Sequence, residues 1–167
     1  EYRRGDNSTD NLGVGGFNLQ SRAYDRKGSN HQVRAQVQGL LGKTTLNELR
    51  LQFTQQRSDA ASLSNDRAVI VLDTFSDGGA GIWNNSFSRG FELADNLDFN
   101  VGRKHQMRVG IPLEGDESSN SDAQNNAGTF TFSGIHAFEA GLPTSFTQRN
   151  GEVNTKFNQY QFGAYWQ

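Results

Sequence analysis

The chain has no cysteine, 2 prolines and 1 methionine among its 167 residues. Without cysteine there is no disulfide, no thiolate metal site and no cysteine nucleophile, and the redox compartment stays open. No apolar run is long enough for a transmembrane helix. No signal peptide is visible, and the opening "EYRR" reads as the inside of a strand, so a mature product or a piece of a longer polypeptide is expected. Charge of one sign is lacking too: 16 Lys and Arg against 18 Asp and Glu give a formal net charge of −2, which offers no electrostatic case for nucleic-acid binding. Apolar residues make up 34% and mean hydropathy is −0.73, low for a compact soluble domain. What the chain does have is 19 Gly, 12 Phe, 4 Tyr and 2 Trp. Aromatics at that level argue against simple disorder, and the length suffices for one domain with a core.

The stretch "GLLGKTT", Gly39 to Thr45, ends like a phosphate-binding loop. A P-loop needs Gly, four residues, then Gly-Lys-Ser/Thr, so that successive N–H groups wrap the phosphates. Here Val37 holds the position of the first glycine. The flanking residues decide against it, because they alternate. Val33, Ala35, Val37, Gly39 and Leu41 oppose Gln32, Arg34, Gln36 and Gln38, and Leu49, Leu51 and Phe53 oppose Glu48, Arg50, Gln52 and Thr54. Period two on both sides of a Gly42-Lys43 turn predicts a β-hairpin.

The pattern returns downstream. Phe91, Leu93, Leu97, Phe99 and Val101 oppose Glu92, Asn96, Asp98 and Asn100; past the turn "GRKHQ", Met107, Val109, Ile111 and Leu113 oppose Arg108, Gly110, Pro112 and Glu114. The last run, "NQYQFGAYWQ", sets Tyr160, Phe162, Ala164 and Trp166 against Gln159, Gln161 and Gly163, and "GVGGFNLQSRAY" reads as a weaker strand using Phe17 and Leu19. Two connections are long and polar, about 58–88 and 115–157. The second contains "SGIHAFEAGLP", a predicted short helix with Ser133 as N-cap, Gly141 at its stop and Pro143 beyond.

Short turns at one end, long loops at the other, and strands with one apolar and one polar face match an outer-membrane barrel. A soluble sandwich also alternates, but its long loops need not segregate. On the barrel reading Val33, Val37, Leu49, Leu51, Phe53, Leu97, Phe99, Val109, Ile111, Phe162 and Trp166 face lipid, and Gln32, Arg34, Gln36, Arg50 and Gln52 face the lumen. Tyr160 and Trp166 are girdle residues in a barrel and core residues in a soluble sheet. Two residues resist. Asp95 falls on the apolar face, either near the interface or beside a bulge, and Pro112 interrupts a strand that should be paired on both sides.

Chemistry-bearing constellations are few. His31, His105 and His136 show no metal-ligand spacing, and there is no Gly-x-Ser-x-Gly elbow, so neither metal, cofactor nor catalysis is expected. Asp73 and Asp77, and Glu114, Asp116, Glu117 and Asp122, offer loop oxygens for Ca²⁺ but not at EF-hand spacing; solvated acidic loops read the same way. Arg4-Gly5-Asp6 is an adhesion tripeptide that three residues alone do not establish. The loop aromatics Phe75, Trp83, Phe87, Phe138 and Phe146 either stack on a carbohydrate or hydrophobic ligand or pack the loops onto each other.

The segment "GTFTFSGIHAFEAGLPTSFTQRNGE", residues 128–152, followed by "NQYQFGAYWQ" and preceded by "LDFNVGRKHQMRVGI", resembles the barrel of TonB-dependent outer-membrane receptors. Within them it is most similar to the Oar-like group with a carboxypeptidase-regulatory-like N-terminal domain. "TTLNELRLQFTQQRSD" at 44–59 also looks like a strand of that family with its outward loop, and the likeness runs from about Val14 to Gln167. It implies a large plugged barrel, of the type with about 22 strands, that takes up scarce nutrients with energy relayed by TonB. The chain departs from that pattern in having no plug domain, no recognisable TonB box, only roughly six or seven strands where the smallest barrels need eight, and "AYWQ" in place of a terminal aromatic.

The expectation is therefore an all-β, antiparallel, up-and-down transmembrane β-barrel segment over residues 1–167, in the bacterial outer membrane and not transport-competent alone. Its expected partners are the lipid bilayer and the rest of the same barrel or identical copies, with TonB acting only through missing regions and no nucleic acid. The alternative is a structural, self-assembling ring, tube or filament derived from such a receptor, as an extracellular assembly. A soluble extracellular binding module ranks third.

Overall fold

A computed structural model describes residues 1–167. Long strands dominate it: β1 (Tyr2–Leu12), β2 (Tyr24–Leu41), β3 (Thr45–Ser62), β6 (Trp83–Val101), β7 (His105–Asp122) and β10 (Asn154–Phe162) lie side by side in that order, with β11 (Tyr165–Trp166) also on β7. All neighbours in this seven-stranded sheet are antiparallel. Between β3 and β6 come β4 (Ala68–Val71) and β5 (Phe75–Asp77). Between β7 and β10 come β8 (Thr129–Phe132), α1 (Ile135–Glu139) and β9 (Ser145–Thr147). These four short strands form a second sheet in the order β5-β4-β8-β9, in which β4 and β8 are parallel.

The main sheet follows from alternation and two tight turns. β2 pairs with β3 without a slip from Tyr24↔Ser62 to Leu41↔Thr45, and β6 with β7 from Asn84↔Asp122 to Val101↔His105. Each three-residue turn starts on a glycine in left-handed conformation, Gly42 at φ 73° and Gly102 at φ 67°, which only glycine adopts without strain. The longer connections 13–23, 63–82 and 123–153 all leave the opposite end. β1 and the β10–β11 strip each have one neighbour only, so the sheet is open and not a closed barrel.

One face of the sheet is an apolar belt. Tyr2, Val33, Phe53, Phe91, Gly115 and Tyr160 form one row across it, and Ala35, Leu51, Leu93, Leu113 and Phe162 the next. Nothing covers this belt: Val37 is 64% exposed, Ile111 52%, Phe162 74% and Trp166 79%. The buried apolar residues lie elsewhere, at Ala23, Ala60, Ala68, Val71 and Phe132, where the small sheet meets the end of the large one. Hydrophobic burial thus holds the long connections together while the sheet's apolar face is left open. Phe132 and Phe75 each meet Phe138 edge-on at 5.3 Å, a favoured aromatic geometry.

Several expectations are corrected. The connections expected at 58–88 and 115–157 are shorter, because β3 runs to Ser62, β6 starts at Trp83, β7 runs to Asp122 and β10 starts at Asn154. Beyond the Phe53–Phe91 row polar residues occupy both faces, as with Gln55, Arg89 and Glu117 on one side and Gln56, Ser88 and Ser118 on the other, and only scattered aromatics such as Trp83, Phe87 and Phe157 interrupt them, so alternation disappears although pairing continues. Arg4-Gly5-Asp6 lies within β1.

"GVGGFNLQSRAY" is not a strand. Gly13, Gly15 and Gly16 take positive φ, only isolated bridges form, and Gln20–Arg22 is a 3-10 turn. α1 is capped by Gly134 rather than Ser133. Its end is as expected: Gly141 at φ 67° donates to Phe138 O and Leu142 donates to Ala137 O, each at 2.9 Å, a Schellman stop. Pro112 lies inside β7, accepting from Gly163 N–H at 3.1 Å. With no N–H to return that bond, it splits the last run into β10 and β11. Asp95 sits on the apolar face in unbroken register, between Leu49 and Ile111, so no bulge removes it; Asn47 Nδ2 donates to it at 2.5 Å.

Candidate functional site

The second face of the main sheet is mostly polar, Leu40, Leu46 and Phe157 being apolar exceptions, and strand parity puts Gln32, Arg34, Gln36, Arg50 and Gln52 on it together. Arg34, Gln52, Glu92 and Glu114 form one cross-strand row, and Gln36, Arg50, Ala94 and Pro112 the next. A hollow of about 760 Å³ lies over these rows, lined among others by Glu1, Arg34, Arg50, Glu92 and Glu114. Nearer the long connections a second hollow of about 420 Å³ has no hydrophobic lining residue and draws on Gly5, Asp6, Asn7, Asn30, Gln56 and Arg57.

Nearer the short turns the face is cross-braced. Glu48 Oε1 accepts from Gln36 Nε2 at 2.8 Å, and Glu48 Oε2 pairs with Arg108 at 3.2 Å. Arg108 therefore reaches from β7 across β6 to β3. Its Nε lies 3.5 Å from Asp98, near enough for an ion pair but not aligned for a hydrogen bond. Below this bridge Asn96 is 2% exposed and accepts from the Tyr165 hydroxyl at 2.6 Å. Gly110 makes room for that contact, since a Cβ there would lie 2.5 Å from the Tyr165 ring. Gly110→Val is expected to push Tyr165 aside, leave the buried amide unsatisfied at a cost of about 1–3 kcal/mol, and release β11. Faster hydrogen exchange at Tyr165 and Trp166 would register it, and unchanged exchange there would contradict it.

The five loop aromatics do not converge. Phe138, on α1, meets both Phe75 and Phe132 edge-on and so packs the helix against the small sheet. Phe146 stands 4.6 Å from Phe130, with the Arg67 guanidinium 5.9 Å from its ring. Trp83 and Phe87 are not in a loop at all but on β6, pointing to the side of the apolar belt. Phe75, Phe138 and Phe146 are each in contact with another aromatic ring of the long connections. Glu114, Asp116, Glu117 and Asp122 are likewise strand residues of β7, with Glu117 on the opposite side from the other three. No group of three His, Asp or Glu side chains gathers at metal-binding distance.

The connection 63–82 is tied to the 3-10 turn Gln20–Arg22 that precedes β2. The Ser21 hydroxyl and the Gly78 N–H both donate to Asp77, and the Arg22 guanidinium donates to Gly79 O. The Ser21 bond, then the Gly78 bond, hold the Asp77 carboxyl below its ordinary value, while burial lowers Arg22. A carboxylate lowered in the folded state contributes stability above its unfolded pKa and loses it as pH falls through the folded one. Ser21→Ala is expected to move the Asp77 titration upward, toward the ordinary value of 3.8. A carboxyl-resolved NMR titration reads this directly, and an unmoved curve would contradict the assignment.

The sequence had placed Glu48, Asn96, Asp98 and Arg108 on the polar side by parity, but the bracing needs the register of three strands at once. Tyr165 and Asn47 gave no signal of their own. Compared with family models, curated proteins and solved structures, the chain matches none. Fold and faces together define an all-β protein built on an antiparallel sheet.

Proposed function

We propose that this chain is the barrel portion of a bacterial TonB-dependent outer-membrane receptor for nutrient uptake, closed by strands beyond its two free edges. The observation that carries the reading is the uncovered apolar belt. On β6 it runs from Phe91 to Val101, about ten residue steps or about 34 Å along the strand. At a tilt of ~40° this spans about 26 Å of depth, close to the apolar band of an outer-membrane barrel. Water-facing strands have no reason to keep Val37, Ile111, Phe162 and Trp166 together on one open side; hydrocarbon does. The opposite face, with Gln32, Arg34, Gln36, Arg50 and Gln52, then lines a wet or plugged lumen. The long connections, folded into their own small sheet, stand at the outer mouth. TonB acts through other parts of the receptor, and the chain alone does not transport.

A second reading, a self-assembling structural barrel, has one observation in its favour. β1 and β10 run in opposite directions, so identical copies placed edge to edge would continue the antiparallel order. The intact mass of the polypeptide from host membranes, taken under denaturing conditions, separates the two. A mass far above 18.5 kDa supports the receptor, and a mass near it supports assembly. Recovery only as a soluble monomer overturns both.

A further inference from the structure

The charges at the two ends of the main sheet differ in sign. The short turns 42–44 and 102–104 hold Lys43, Arg103 and Lys104 and no acid, whereas the connections 13–23, 63–82 and 123–153 hold three bases (Arg22, Arg67, Arg149) against five acids (Asp66, Asp73, Asp77, Glu139, Glu152). The three turn cations are exposed and make no ion pair. Nearby Asp98 is engaged by Arg108. β3 and β6 are neighbours, so the two turns project from adjoining hairpins at the same edge of the sheet. Lys43 follows Leu41 by two residues and Arg103 follows Val101 by two, so the Cα of each lies within about 7 Å of the Cα of the belt's last apolar residue.

We propose that Lys43, Arg103 and Lys104 form a docking surface for anionic phospholipid headgroups, binding their phosphates where the apolar belt meets the short turns. This rests on the barrel reading above, since it requires the belt to lie in hydrocarbon. A phosphate layer is where cations just outside a hydrocarbon band come to rest, and no acidic side chain of the protein competes for these three. Lysine ammonium and arginine guanidinium both pair with phosphate oxygens. The pull of an anionic surface on each basic residue is worth roughly fivefold in partition, on the order of 100-fold for three. The opposite end, with its excess of acids, gains nothing from such a surface, so the same contacts set which end faces the anionic leaflet.

The test uses the full-length protein, refolded from urea into vesicles of phosphatidylcholine alone or mixed with phosphatidylglycerol. The expected result is partition on the order of 100-fold stronger onto the mixed vesicles, shrinking as salt is raised. The triple variant K43Q/R103Q/K104Q should lose most of that preference yet still enter neutral vesicles, because exposed turn side chains support no packing. Inorganic phosphate at matched ionic strength should not displace the protein. Equal partition of the unaltered protein onto both vesicles, or an undiminished preference in the triple variant, overturns the proposal. Displacement by inorganic phosphate overturns the headgroup as the source. Failure to enter either vesicle overturns the barrel reading itself, a result distinct from the other three.

Discussion

Phe132→Ala is expected to melt the small four-stranded sheet while the long strands stay paired. Phe132 is 7% exposed and meets Phe138 edge-on at 5.3 Å, beside Val71 at 2% and Ala68 at 3%. Truncating a buried Phe removes its transfer free energy and leaves a cavity, together about 3–5 kcal/mol. The small sheet has little else to offset that loss. Its strands are three or four residues long, and two of its outer aromatics, Phe138 and Phe146, are already 37% and 44% exposed. The main sheet depends on none of this, because its cohesion is the ladder from β1 to β10. Hydrogen exchange should therefore show lost protection at 68–71 and 129–132, with protection in β2, β3, β6 and β7 unchanged. Loss in both regions would mean that the small sheet is part of the main sheet's cooperative unit.

The contrast between these two regions explains what the sequence could reveal. The β2–β3 and β6–β7 hairpins were legible because apolar residues recur at alternate positions on one face, with Asn47 and Asp95 as exceptions, and the turns carry their glycines. Farther along the same strands the signal vanished. At Arg57, Phe87 and Ser119 on one side, and Ser58, Ser86 and Asn120 on the other, the chain is paired for reasons that leave no periodic mark. Backbone hydrogen bonds do not depend on which polar side chain is attached, so the strand ends could be read only from their partners. The small sheet escaped for a different reason. β4 and β8 pair in parallel across 57 intervening residues, Leu72 to Gly128, and no local pattern encodes such a contact.

The candidate site divides in the same way. Parity alone placed Gln32, Arg34, Gln36, Arg50 and Gln52 on one face, because side-chain direction along a strand is a local property. The bracing of Glu48 by Arg108 and the burial of Asn96 under Tyr165 depend on the alignment of β3, β6, β7 and β11. That alignment is global. Pro112 shows both kinds of information in one residue: its presence in a paired strand looked like a contradiction, and the structure resolves it at the one position where β10 gives way to β11.

Leu51→Arg is expected to have opposite consequences in lipid and in water, and so to decide what the apolar face is for. Leu51 lies in the belt between Ala35 and Leu93 and is 47% exposed. If the belt faces hydrocarbon, an arginine there destabilises the folded state by about 2–4 kcal/mol at mid-depth. If the belt faces water, a half-exposed substitution stays within about 0.5 kcal/mol and improves solubility. Asp95→Leu supplies the converse on the same face, four residues or about 13 Å along β6 from Phe91. In a bilayer it removes a carboxylate from the belt and raises stability, whereas in water it only adds another exposed apolar group. Urea unfolding of both variants in phosphatidylcholine vesicles measures the pair of signs. Leu51→Arg down with Asp95→Leu up is the membrane result. Two shifts within error of zero would remove the bilayer as the belt's partner and leave protein surfaces as the only cover for it.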